Sequence, residues 1–132
     1  MVVFYKDKEK RLIEPKLFSE VAEKLAKKIA DSGKGHRDKL DKNKRSQIRK
    51  FYDEVLRLNT LTKNDPKSWD FVFPYVNMMV AKAAYASGRG YVSDDFLEFI
   101  KESVHQINTH EDLDVFTNFF EAFMGFYKVY GD

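Results

Sequence analysis

The 132-residue chain contains no cysteine. That excludes disulfides and thiolate metal sites, and it fits a reducing compartment such as the cytoplasm. Proline is scarce, confined to Pro15, Pro66 and Pro74. No apolar run approaches the roughly 18 residues of a membrane span, so no membrane partner is expected. The N-terminal stretch "MVVFYKDKEKRLIEPK" places its short apolar patch before its charges, the reverse of a secretory signal. Strand-like alternation is nearly missing too, and only "MVVFY" suggests an extended segment. Repeats and low-complexity tracts are absent.

Rings and charge are what the chain has in quantity. Aromatics make up 15% of residues, with 12 Phe and 7 Tyr, which argues against disorder and for a ring-filled core. The formal net charge is only +2, but it conceals a gradient. Residues 34–50 hold 8 Lys+Arg against 2 Asp+Glu, whereas residues 91–132 hold 2 against 9. A basic segment and an acidic one suggest an anionic partner at one end, and would let copies of the chain attract one another head to tail.

Apolar spacing predicts an all-α fold, a compact bundle of about five helices in one domain spanning 1–132. Residues 1–14 are expected to be irregular, and 33–42 a mobile basic loop. The first helix is expected over 15–31, with Pro15 in its first turn and Ser32-Gly33 at its end. The second covers 43–60, with Ile48, Phe51, Tyr52 and Val55 as its apolar stripe. On it, Arg49–Asp53, Lys50–Glu54 and Asp53–Arg57 are spaced to pair. The third begins near Pro66 or Ser68 and ends near Ser87, kinked or broken at Pro74. Ser93 is placed to cap the fourth, whose apolar positions are Phe96, Phe99, Ile100, Val104 and Ile107. The fifth follows Asn108-Thr109 and carries Phe116, Phe119, Phe120, Phe123, Met124 and Tyr127 as a buried stripe, some of which a neighbouring subunit would cover in an alternative reading.

Catalytic chemistry finds little support. The three histidines, His36, His105 and His110, lack metal-ligand spacing, and a surface or capping role suits the last two. Asp94-Asp95 and Glu111-Asp112 sit where helix starts favour negative charge. "SGKGHRD" (32–38) lacks the spacing of a nucleotide-binding loop and follows no strand. No enzymatic activity, cofactor, metal or small-molecule substrate is expected.

The segment "AKAAYASGRGY" (81–91) is more informative. At about 100° per residue, Met78, Lys82, Tyr85 and Arg89 fall on one narrow stripe of the third helix. Val76, Met79, Val80, Ala83 and Ser87 form a second, inward stripe. Ala81, Ala83, Ala84 and Ala86 would admit close helix neighbours. Lys82 and Arg89 lie roughly 10 Å apart along the axis, enough to meet separate phosphates, with Tyr85 between them. Gly88 and Gly90 would let a strand approach the main chain. If the second and third helices pack side by side, Lys42, Lys44, Arg45, Arg49 and Lys50 extend the same patch. Such a patch positions a nucleic acid without reading its sequence. The plain alternative is cations lying over apolar surface with heads in water, and Tyr85 shielding the core edge.

Three stretches, "SQIRKFY" (46–52), "MVAKAAYASGRG" (79–90) and "FTNFFEAFMGFYKVYG" (116–131), resemble the small subunit of type III-A CRISPR effector complexes, the Csm complexes. They occur in the family's order and cover about a quarter of the chain. The resemblance implies a helical, non-catalytic subunit, several copies of which lie along the duplex of guide RNA and target RNA among other CRISPR effector subunits. Its basic residues would touch the RNA backbone while base pairing supplies sequence recognition. Arg49, Lys50, Lys82, Tyr85 and Arg89 match the motifs; Lys42, Lys44 and Arg45 rest on charge alone. Two other functions compete, a helical adaptor whose basic patch takes an acidic protein, and a small hydrolase with a hidden site.

Overall fold

The computed structural model describes residues 2–131. Among them are five α-helices, α1 (Ala22–Gly33), α2 (Arg45–Asn64), α3 (Trp69–Gly88), α4 (Asp94–His105) and α5 (His110–Tyr130), preceded by a two-strand hairpin. Going round the bundle, α1 touches α4, α4 touches α3, α3 touches α2, α2 touches α5, and α5 returns to α1.

Local chemistry sets the helix starts. The Ser93 hydroxyl accepts from the Phe96 N–H at 3.2 Å, as the cap position predicts. Thr109 and Asp112 form a reciprocal capping box at the start of α5. Between them these starts aim Phe96, Phe99, Phe116, Phe119, Phe120 and Phe123 inward, all buried. Phe99 lies in the middle, 5.7–6.0 Å from the rings of Phe116, Phe119, Phe120 and Phe123. Such edge and offset contacts add to the burial of each ring.

Several boundaries depart from expectation. A π-helical turn, Leu17–Val21, leads into α1, so the helix starts two residues after Pro15. A separate 3₁₀ turn, Pro66–Ser68, takes Pro66 in its first position, with Asp65 capping the Lys67 N–H. Helix α3 then runs on through Pro74 without the break that was one of the two expected outcomes.

The N-terminal segment is ordered where irregular chain was expected. Strands β1 (Tyr5–Asp7) and β2 (Leu12–Ile13) pair antiparallel, with Tyr5 opposite Ile13. Phe4 is fully buried and stacks on Phe116 at 5.9 Å. The Gln106 amide receives the Phe4 N–H and donates to the Val2 carbonyl, and the Tyr5 hydroxyl donates to Asp112. Burial and that carboxylate push the Tyr5 pKa up.

Candidate nucleic-acid interface

The basic segment folds back on itself instead of hanging free. Lys34 and Leu40 bridge, and the Gly33 carbonyl accepts from the Asp41 and Lys42 N–H groups. Gly33 is required by close approach, since a Cβ there would lie 2.3 Å from the Lys42 carbonyl oxygen.

The segment is anchored by Asn43, which is fully buried and left-handed at φ 59°. Its N–H donates to the Tyr91 carbonyl at 2.9 Å. Its Oδ1 accepts from the Ser93 N–H, and its Nδ2 donates to Ser93 Oγ and the Ile29 carbonyl. The Tyr127 hydroxyl donates to its carbonyl. One side chain thus ties the lysine-bearing turn to the α3–α4 connection that carries Arg89.

Helices α2 and α3 pack side by side, and their groove brings Lys50 together with Lys82 and Tyr85. A second, adjoining cleft joins Lys44 to Arg89 and shares Gln47 and Tyr91 with the first. Five of the eight predicted residues, Lys44, Lys50, Lys82, Tyr85 and Arg89, therefore line one continuous surface. The other three do not line it, although Asp53, the ion-pair partner of Arg49, does. Lys42 is exposed on the turn without lining either cleft. Arg49 pairs with Asp53 at 3.7 Å and lies beside Tyr52, whose ring packs on Phe120 of α5. Arg45, one turn before Arg49, shares that side of α2.

Lys82 is not a free cation. Its ammonium lies 3.1 Å from Glu54, which also receives Arg57 Nε at 2.8 Å and Nη2 at 3.1 Å. These hydrogen bonds, Arg57's foremost, hold the Glu54 carboxyl below its ordinary pKa. The expected pairs Lys50–Glu54 and Asp53–Arg57 thus give way to Arg57–Glu54–Lys82. Arg89 lies between two tyrosines, its guanidinium carbon 5.7 Å from the Tyr85 ring centre and 5.6 Å from that of Tyr91. It donates to both hydroxyls, at 3.0 and 3.4 Å. Tyr85 stays 64% exposed, so it presents a ring to solvent and does not seal the core edge.

The inward stripe of α3 is Val72, Val76, Met79, Ala83 and Ala86, with Val80 and Ser87 half-buried. Ala81 and Ala84, expected to admit a neighbouring helix, face solvent. So do Phe71, Tyr75 and Met78, which continue the Lys82–Tyr85 line toward the helix start.

Gln47, Tyr91 and Asn43 had escaped sequence reasoning, and Glu54 was expected only as the partner of Lys50. Glu54 and Gln47 lie at helical spacing from Lys50 and Phe51 on the groove side of α2, which is the one signal that would have found them. Among the described residues, no three His, Asp or Glu side chains converge as metal ligands would. No helix among them is long and apolar enough to cross a membrane.

The family model described as Csm2 Type III-A matches residues 14–132, from just after the hairpin through all five helices. The chain belongs to the Csm2 family. Csm2 is the small subunit of type III-A Csm complexes, so the match covers both the groove and the Asn43 anchor. No curated protein and no solved structure matches the chain. The hairpin and Phe4 just before it lie outside the Csm2 match, yet Phe4 is part of the core.

Proposed function

We propose that this Csm2-family chain is a non-catalytic, RNA-binding subunit of a type III-A interference complex. It holds the backbone of the guide RNA–target RNA duplex without sequence preference. The observation that carries this reading is the convergence of Lys44, Lys50, Lys82 and Arg89 on one groove surface with an exposed tyrosine among them. Cations gathered on one surface neutralise phosphates of a bound backbone. Lys42, Arg45 and Arg49 serve as outlying contacts. Copies stack head to tail, the basic segment of one meeting the acidic C-terminal half of the next. The working compartment is the cytoplasm, where guide and target RNA meet.

Charge reversal of Lys82 and Arg89 inside the assembled complex tests the assignment. Retention of target RNA falls, and the salt dependence of log K becomes shallower by roughly 0.7–0.9 per lost phosphate contact. Circular dichroism stays helical. Unchanged retention sinks the site.

The adaptor reading has one observation in its favour, the open apolar line Phe71, Tyr75 and Met78. It gains if complexes assemble normally while RNA retention ignores both salt and charge reversal.

A further inference from the structure

A site that only holds backbone needs cations and donors on an open surface. The α2–α3 groove has more than that. It is a concavity of about 560 Å³ whose floor is Phe51, Met79 and Ala86. A phosphate gains nothing from an apolar floor, because leaving water there costs it hydration. A nucleobase gains from it, since its faces are apolar and its edge is polar. The groove is open to solvent on one side, and its volume lies within the usual range of small-molecule sites, about 300–1,000 Å³.

We propose that the groove takes one unstacked nucleobase of the bound RNA, received between the apolar floor and the Tyr85 and Tyr91 rings at its mouth. This rests on the RNA-binding reading and adds the part of the nucleotide that the groove takes. Three features suit that occupant. Arg89 hydrogen-bonds both tyrosine hydroxyls, so the rings stand preset at the rim instead of folding over the floor. Lys50 and Lys82 line the same groove, where phosphates flanking an extruded base would run. On the α2 wall, Gln47 offers an amide that both donates and accepts, and Glu54 offers a carboxylate fixed by Arg57 and Lys82. A base edge carrying an exocyclic amino group matches that carboxylate, whereas an edge of acceptors alone does not.

The test uses the assembled complex and a set of target RNAs, each with one abasic position, walked along the bound stretch. A missing base also weakens pairing, so the quantity read is the abasic penalty in the wild-type complex divided by that in a Tyr85→Ala complex. A second complex carrying Ala86→Phe fills the groove from its floor. At positions facing the groove, the wild-type penalty exceeds that of both variants by about 5-fold or more, as loss of one stacked base predicts. Ratios near one at every position, with salt-sensitive binding intact, overturn the base pocket and leave backbone binding standing. No retention of RNA by the wild-type complex overturns both. If 6-thioguanosine, which keeps an exocyclic amino group, crosslinks elsewhere than the groove when placed at the responsive positions, the pocket assignment fails as well.

Discussion

Helices α3 and α5 both carry rings at helical spacing, and the two sets end on opposite sides of the molecular surface. On α5, Phe116, Phe119, Phe120, Phe123 and Tyr127 are wholly buried. On α3, Phe71, Tyr75 and Tyr85 are more than half exposed. Residue type does not separate them; position in the bundle does. Helix α5 lies between α1 and α2 and receives Phe99 of α4, so its rings are covered. Helix α3 packs on α2 and α4 and leaves its remaining face open. A ring on α5 therefore contributes to folding, and a ring on α3 is available for contact with something else.

Paired truncations should break that contrast most visibly. Phe120→Ala is expected to cost about 3–5 kcal/mol in chemical denaturation, through lost burial and a cavity among five helices. Tyr85→Ala should change stability by less than about 0.5 kcal/mol and act on RNA retention alone. If the two variants unfold at the same denaturant concentration, the division of labour between α3 and α5 is wrong.

Next in size is the joint between the two regions. Asn43→Ala strands the Ser93 N–H in the interior and places alanine in left-handed backbone, at a cost of about 2–3 kcal/mol. Asn43→Gly keeps the backbone and loses the side-chain bonds, so it should sit between wild type and alanine. Equal stability of all three would show that Asn43 bonds are dispensable. Removing the α5 cap with Thr109→Ala is a smaller loss, about 1 kcal/mol by thermal or urea melts.

The finest probe acts at Glu54. Glu54→Gln frees Lys82 and Arg57 for phosphate but removes the carboxylate offered to a base edge, so retention of RNA that is abasic opposite the groove should rise about 2- to 5-fold, the worth of a half-exposed ion pair. The native carboxyl titrates below its unfolded value, so its stabilisation is present above the ordinary carboxylate range and fades as pH falls through it. Denaturation of the wild type between about pH 5 and 3 should therefore show a small slope that Glu54→Gln reduces. An unchanged slope assigns the acid sensitivity to other carboxylates.

Features that repeat along one helix were legible before any coordinates. The Ser93 cap, the start of α5 after Thr109, the α4 and α5 stripes, and the outward line of Met78, Lys82 and Tyr85 all follow from period and cap chemistry. Features that need two elements at once were not. Lys82 meets Glu54 across 28 residues of sequence, and nothing near either one announces the other. Asn43 sits in a polar, basic run where a buried hub has no apolar period to reveal it. Arg45 and Arg49 share a helix with Lys50 but do not line the groove, and Arg49 is taken up by Asp53 at its edge, which charge counting cannot resolve.

The packing of α1 on α5, and of Phe4 on Phe116, has a consequence during synthesis. Helix α1 leaves the ribosome well before its principal partner α5, which is made more than seventy residues later. Until then Ile29, Leu17 and Phe4 have no α5 to bury them. Closure is a late event joining the two ends of the sequence, which slows folding relative to a bundle of nearest neighbours. A nascent chain held at the end of α4 would expose this apolar surface, and is the form in which aggregation is most expected.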